Sequence, residues 1–272
     1  PNNIIPQNRI HPVAKAVTSF MPLPNAKTAG QRYSVQNLLN PEYAATDKFY
    51  NLTLKFDWNF GDRHRAFFRH ASNDRTEDRC VNGICAAPGQ DGQQPFQRIN
   101  DAYVLDYLWT ISPSTILNIR ASNNRFVEKG FGRANENFDL TKLGLAPSLL
   151  SQLPGPIYFG RWNFDGYTPL GRSQGINITN SYNLLTQVTK ISGAHTMKMG
   201  FDVRRTHFIQ QNSGDILSFS GQTQWTRQLW NQSDANSGDG FASFLLGGIG
   251  GSSNYPIYPF FKNWYMSPFF QD

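Results

Sequence analysis

The sequence predicts an all-β protein: an antiparallel up-and-down β-barrel of the membrane-spanning kind, of which this chain holds an incomplete, N-terminal part. Three observations predict it. Apolar and polar residues alternate along several segments, paired segments are joined by short turns, and successive hairpins are separated by long polar connections. Neighbouring strand side chains point to opposite faces, so strict alternation makes a sheet with one greasy surface and one wet surface.

Residues 1–46 stand apart from the rest. Pro12 to Phe20 carries a short amphipathic helical pattern with proline at its first turn, bounded by Pro22 and Pro24, the punctuation expected around a brief helix.

The alternating segments fill residues 47–272. From Asn51 to Phe60, Leu52, Leu54, Phe56, Trp58 and Phe60 share one side, and Asn51, Thr53, Lys55, Asp57 and Asn59 share the other. His64 to Ser72 follows the rule loosely, mixing Phe67 with Arg65 and Arg69. Tyr103, Leu105, Tyr107, Trp109 and Ile111 alternate with Val104, Asp106, Leu108 and Thr110, and Leu117, Ile119 and Ala121 alternate with Asn118, Arg120, Ser122 and Asn124. Tyr182 to Ile191 is half obedient, with Leu185 on the polar side. Met197, Met199, Phe201 and Val203 alternate with Lys198, Gly200, Asp202 and Arg204. These lengths are close to the roughly 9 to 11 residues that cross a bilayer as a tilted strand.

Turns of about three residues join the pairs, a common hairpin length: Gly61-Asp62-Arg63, Ser112-Pro113-Ser114 and Ser192-Gly193-Ala194. Between hairpins run long polar, Gly- and Pro-rich stretches, from Arg75 to Arg98, Lys129 to Ile178 and Gln210 to Phe261. Structureless loops beyond about 15 residues are uncommon in compact soluble domains. Short turns on one rim and long loops on the other are the arrangement of outer-membrane barrels, in which the long loops face outward and the turns face the periplasm. Trp58, Phe60 and Trp109, near the turn ends of their strands, suit an interfacial aromatic girdle.

Composition agrees. The 272-residue chain is 39% hydrophobic, below the roughly 45 to 50% of globular domains, and no apolar run reaches the roughly 18 residues of a membrane helix. It opens at Pro1-Asn2 and stops at Phe270-Gln-Asp272 inside an apparent strand, which leads us to expect an internal piece of a longer protein. The net charge of +6 is spread singly over strands and loops without a basic run, so no nucleic-acid partner is expected.

Sites of chemistry are scarce. His11, His64, His70, His195 and His207 are dispersed, no Gly-x-Ser-x-Gly elbow exists, and Gly248 to Ser253 lacks the Lys-Ser/Thr ending of a phosphate loop. Neither an enzyme nor a cofactor is expected. Cys80 and Cys85 flank Asn82-Gly83, a tight-turn dipeptide that would bring the thiols together. A disulfide is the favoured reading in an oxidising outer loop; reduced thiols come next, and zinc, with His70, last, since the ligand set of a structural site is incomplete. On the polar strand faces Lys55, Asp57, Asp106, Arg120, Lys198, Asp202 and Arg204 are the candidates to line a lumen.

Several loop segments resemble one family. Ile5-Pro-Gln-Asn-Arg-Ile-His-Pro-Val-Ala14 followed by Met21-Pro-Leu-Pro-Asn25 is similar to a segment that TonB-dependent outer-membrane receptors of the Oar-like, carboxypeptidase-regulatory-like-domain kind carry after their plug, with His11 where that family usually has Asp. Phe138-Asp-Leu-Thr-Lys-Leu-Gly-Leu-Ala-Pro147, then Gly166-Tyr and Leu170-Gly171, resembles a recurrent outer loop of the family, and Phe241-Ala-Ser-Phe-Leu-Leu-Gly247 and Phe269-Phe-Gln-Asp272 resemble further landmarks. The resemblance implies a plug-to-barrel linker at residues 1–46, a partial barrel at 47–272, and uptake of a siderophore, oligosaccharide or peptide across the outer membrane. It also implies partners beyond the membrane lipid, namely the protein's own plug domain and TonB, through parts absent from this chain. Two rivals stand beside it: a non-transporting adhesion or scaffold barrel, and a secreted soluble β-sandwich that binds glycans through exposed aromatics.

Overall fold

The computed structural model describes residues 4–21, 23, 45–78, 96–130, 138–153, 159–164, 167, 169–171, 175–212, 217–232, 237–253 and 258–272. Strands β1 (Thr46–Asn59), β2 (His64–Asp78), β3 (Phe96–Ser112), β4 (Thr115–Gly130), β6 (Gly175–Ser192), β7 (His195–Asn212) and β10 (Phe260–Gln271) form one 7-stranded sheet in the order β1-β2-β3-β4-β6-β7-β10, antiparallel throughout. The short strands β5 (Arg161–Asn163), β8 (Leu217–Gly221) and β9 (Ile249–Ser253) form a second, 3-stranded sheet. Helices α1 (Pro12–Thr18), α2 (Pro147–Leu150) and α3 (Gly240–Leu245) accompany that smaller unit.

The large sheet is an up-and-down meander, and its strands run longer than the alternating segments of the sequence. In β2 the pairing with β1 continues from Ser72 to Asp78, a stretch that is polar on both faces. Backbone pairing needs no side-chain pattern. A strand therefore continues past the point where its apolar face ends, and periodicity reports only the part of it that has a greasy side. The turns are also tighter than expected in two places. Ser112 pairs with Thr115, leaving Pro113-Ser114 as a two-residue turn, and Ser192 pairs with His195, leaving Gly193-Ala194. Gly193 supplies the positive φ, +60°, that primed hairpin turns demand. A register shift between Thr110 and Ser112 marks a bulge at Ile111, which increases the local twist.

Register assigns the faces. Reading across the sheet, Phe56, Phe68, Leu105, Ala121, Leu184, Val203 and Met266 form one row, each residue the Cα partner of the next. The row on its turn side runs Trp58, Ala66, Tyr107, Ile119, Thr186, Phe201 and Pro268, and the next carries Trp109, Leu117, Val188, Met199 and Phe270. This apolar surface is left open: Phe56, Leu105, Leu184, Met266 and Phe270 are all exposed. On β1 the apolar side runs from Tyr50 to Phe60 unbroken, about 33 Å along the strand and about 25 Å in height at a barrel tilt near 40°, the height of an outer-membrane apolar band.

The long connections are not structureless. The described residues within 138–171 and 217–253 pack together around the smaller sheet, with β5 parallel to β8 and β8 antiparallel to β9. Phe159, Trp162, Phe164, Leu170 and Phe244 are fully buried there, and Trp162 stacks on Phe219 at 4.1 Å between ring centroids. Gly171, at φ +67°, lies so close to the Gly160 carbonyl that a Cβ would collide with it. Only glycine meets both the left-handed backbone and the close approach. The leading segment joins this cap: Ala14 and Val17 of α1 belong to its core, and the His11 amide donates to the Leu245 carbonyl at 2.8 Å. The N-terminal end of β1 pairs with the end of β2 that precedes the first long connection, so α1, the cap and the long connections share one end of the sheet.

Candidate functional site

The polar face of the large sheet gathers the charged residues singled out in the sequence. By register Lys55, Asp57, Asp106, Arg120, Lys198, Asp202 and Arg204 all stand on that one face. Most of them are held by near neighbours. Lys55 and Asp57, two apart on β1, are joined at 2.7 Å, and Lys55 Nζ also lies 5.1 Å from the Phe67 ring centroid. Asp106 and Arg120 face each other across β3 and β4 at 2.6 Å, while Asn118 donates to the second Asp106 oxygen at 3.0 Å. Arg204 grips Asp202 at 2.6 Å on its own strand, and Asn183 of β6 donates to the same carboxylate at 2.6 Å. Lys198, beside Thr189 and Gln271, has no ion pair among the described residues.

These pairs differ in weight. Both side chains of the Lys55–Asp57 pair are more than half exposed, so water screens it and it contributes little. The Asp106 side chain is only 10% exposed, and a carboxylate that far out of water depends on the cation and the amide facing it.

Sequence reading missed the largest charged group on this face. Toward the cap, Arg75 Nη2 reaches Asp47 and Glu77 at 2.7 Å each; Arg98 reaches Glu77 at 3.1 Å and approaches Glu128 at 4.0 Å. Four strands are tied together in this way. Each member lies in a stretch where neither face is apolar, so alternation gives no signal; only the cross-strand register, Asp47 with Glu77 and Arg98 with Glu128, brings them together.

Missed too were basic side chains on the apolar face. Arg205, His207 and Lys262 continue the phase of Met197, Met199, Phe201 and Val203 and of Trp264 and Met266. Their signal was a break in phase: polar residues at positions where alternation demands apolar ones.

In the cap, Asp139 caps the turn at Leu140–Leu143, accepting from the Thr141 amide at 3.0 Å and from the Thr141 hydroxyl at 2.6 Å. Those donors hold its carboxyl below the ordinary carboxylate range. Burial pushes the Tyr167 phenol up, and nearby Asp239 adds to the shift. Trp225, Leu229 and Trp230 project from the cap into solvent. The two cysteines, Cys80 and Cys85, lie outside the described residues. Among the described residues no cluster of three or more His, Cys, Asp or Glu could hold a metal ion.

An open apolar face opposite a charged face, in a meander with tight turns at one end and a folded cap at the other, is the geometry of a strand-crossed membrane. The description "outer membrane beta barrel domain" matches the chain from residue 1 to residue 272. The chain belongs to that family. No curated protein and no solved structure matches it.

Membership of the outer-membrane β-barrel family places the chain in the outer membrane, in contact with its lipid, and explains how it crosses without a membrane helix: among the described residues no helix is long and apolar enough to span a bilayer. The strands make the crossing. A soluble sandwich needs a second layer over the apolar face, and Phe56, Leu105 and Met266 show that face bare. The described strands form an open sheet, with β1 and β10 at its edges.

Proposed function

We propose that this chain is the barrel segment of an energised outer-membrane receptor that moves a small or oligomeric ligand inward along the polar face, with TonB supplying the energy through parts outside these residues. The observation that carries the reading is the charged face itself. Asp47, Arg75, Glu77, Arg98 and Glu128 bind four strands near the cap, and Asp106–Arg120 repeats the motif deeper in. Charges locked to one another along much of the wall keep it hydrated and rigid while reducing the fixed charge that could trap a passing ligand. The resemblance of the loop segments to TonB-dependent receptors supplies the energy coupling and the ligand classes. The cap stands at the outer rim in this reading, the turn at Gly61 to Arg63 at the periplasmic rim.

The test uses the full-length protein in its own outer membrane. Ligand accumulation that stops when TonB is deleted, while surface binding persists, is the expected result. Binding or adherence without any TonB-dependent accumulation would favour the adhesion reading, for which the exposed Trp225 and Trp230 are the supporting observation. Epitope tags at Asp62 and within residues 80–85 check orientation: intact cells should be labelled only at the latter.

A further inference from the structure

Toward its cap end the apolar face carries a cluster of basic side chains that no described carboxylate neutralises. Arg205, His207 and Lys262 stand together there. Arg205 pairs in register with Tyr182 and Trp264, and His207 with Asn180 and Lys262. Each of these side chains leans on a ring: the Arg205 guanidinium lies 4.9 Å from the Trp264 centroid, Lys262 Nζ 4.9 Å from that of Phe260, and the His207 ring meets Tyr182 and Phe260 edge-on at 5.7 and 5.3 Å. None of the three is paired with a carboxylate among the described residues. Arg205 Nε and His207 Nε2 are buried without any hydrogen-bond partner. The acid in the same cross-sheet row, Asp101, is taken up by the Ser72 hydroxyl at 2.7 Å and stands three strands from His207, about 14 Å at the usual inter-strand spacing. Between Tyr182, Leu184, Val203, Arg205, His207 and Trp264 lies a groove of about 380 Å³.

Position gives this cluster its meaning. It sits one or two rows beyond Leu184, Val203 and Met266, beside Tyr182 and Trp264, with one further apolar row, Ile178, Ile209 and Phe260, before the cap end of the strands. Aromatic rings of this kind mark the headgroup level of a bilayer. Cations at that level, facing outward, meet lipid headgroups rather than the lumen. A guanidinium beside an aromatic ring keeps terminal N–H donors that suit the paired oxygens of a phosphate.

We propose that Arg205, His207 and Lys262 form a binding site for the phosphate groups of an outer-leaflet glycolipid of the lipopolysaccharide type, the acyl chains of which run down the groove beside Leu184 and Val203. The proposal rests on the orientation given above, with the cap outside. It does not depend on transport.

The experiment titrates full-length protein, assembled as judged by heat-modifiable mobility, with bisphosphorylated lipid A, reading lipid phosphate retained per protein after gel filtration. Wild type should retain it, and should retain the dephosphorylated lipid about tenfold less, a comparison that needs no variant. The double variant Arg205→Gln/Lys262→Gln should bind the bisphosphorylated lipid about tenfold more weakly, a loss of about 1.4 kcal/mol, whereas Lys198→Gln on the opposite face should bind as wild type does. Equal retention of the two lipids, or an equal loss in the Lys198 variant, would overturn the site. Displacement of the lipid by equimolar inorganic phosphate would show a free-anion site and overturn the lipid assignment. Labelling of an Asp62 tag on intact cells would overturn orientation and site together; a periplasmic Asp62 with unselective lipid retention would overturn the site alone.

Discussion

Lys55 and Phe56 are adjacent on one edge strand, yet they meet different solvents. Phe56 continues the apolar row through Phe68 and Leu105, while Lys55 turns to the polar face beside Asp57. A charge at Phe56 would face hydrocarbon. Phe56→Arg should therefore cost about 2 to 4 kcal/mol near the midplane, and Lys55→Gln should be close to neutral; reversible folding of the two variants of the full-length barrel into lipid vesicles measures both, and equal costs would refute the face assignment. Asp139 allows a pH prediction outside the membrane. Its folded-state carboxyl titrates below the unfolded value, so its contribution to the Leu140–Leu143 turn is complete above the ordinary Asp range, about 3.9, and is lost as pH falls through the lowered value. The hydrogen-exchange protection factor of the Thr141 amide, the rate taken relative to the unprotected amide at the same pH, should be constant from neutral pH down to about 3.9 and fall below it more than those of distant amides do, and Asp139→Asn, which keeps an acceptor, should abolish the excess.

Elements were legible where chemistry had two sides. The segments from Asn51, Tyr103, Leu117 and Met197 were read as strands because one face had to be greasy, and each lies inside an observed strand except for Phe60, one residue past the end of β1. The same rule left β2 and β6 half visible, since Arg65, Arg69 and Leu185 stand against the local pattern. It was silent beyond the apolar band, where the Arg75–Glu77–Arg98 group sits, and in the cap, where β5, β8 and β9 are three to five residues long and are held by packing rather than periodicity. The Pro12–Thr18 helix was legible from its proline and spacing, but its partners were not, because burial of Ala14 and Val17 against Leu143 and Phe244 is a contact between distant parts of the chain. Trp162 ties that core together, bridging to Leu170 through two backbone bonds and stacking on Phe219. Trp162→Ala should cost the cap about 3 to 5 kcal/mol and leave the large sheet intact. Limited proteolysis of the assembled full-length protein should then cut within 138–171 and 217–253 while the strand fragments survive; cleavage of the strands at the same rate would show that cap and sheet fold as one unit.

On the scale of the whole molecule, the sheet is satisfied on neither of its two exposed terms. Its apolar face carries Leu54, Phe56, Leu105, Leu184, Phe201 and Met266 uncovered, and the described strands leave β1 and β10 each paired on one side only. Lipid relieves the first exposure; only further strands, closing the sheet, relieve the second, because an unpaired edge in hydrocarbon loses its backbone hydrogen bonds outright. The cap does not substitute for either. Its core is built from α1, the loop segments and the small sheet, and the wide apolar face lies outside it. The 272-residue chain expressed alone should consequently aggregate in plain buffer through both the greasy face and the strand edges, and detergent should rescue only the former, leaving a soluble but edge-associating species. Analytical ultracentrifugation with and without detergent measures this. A monodisperse monomer in plain buffer with a single cooperative unfolding transition would mean that the apolar face finds a cover within the chain, and the membrane-facing assignment of Phe56, Leu105 and Met266 would fall with it.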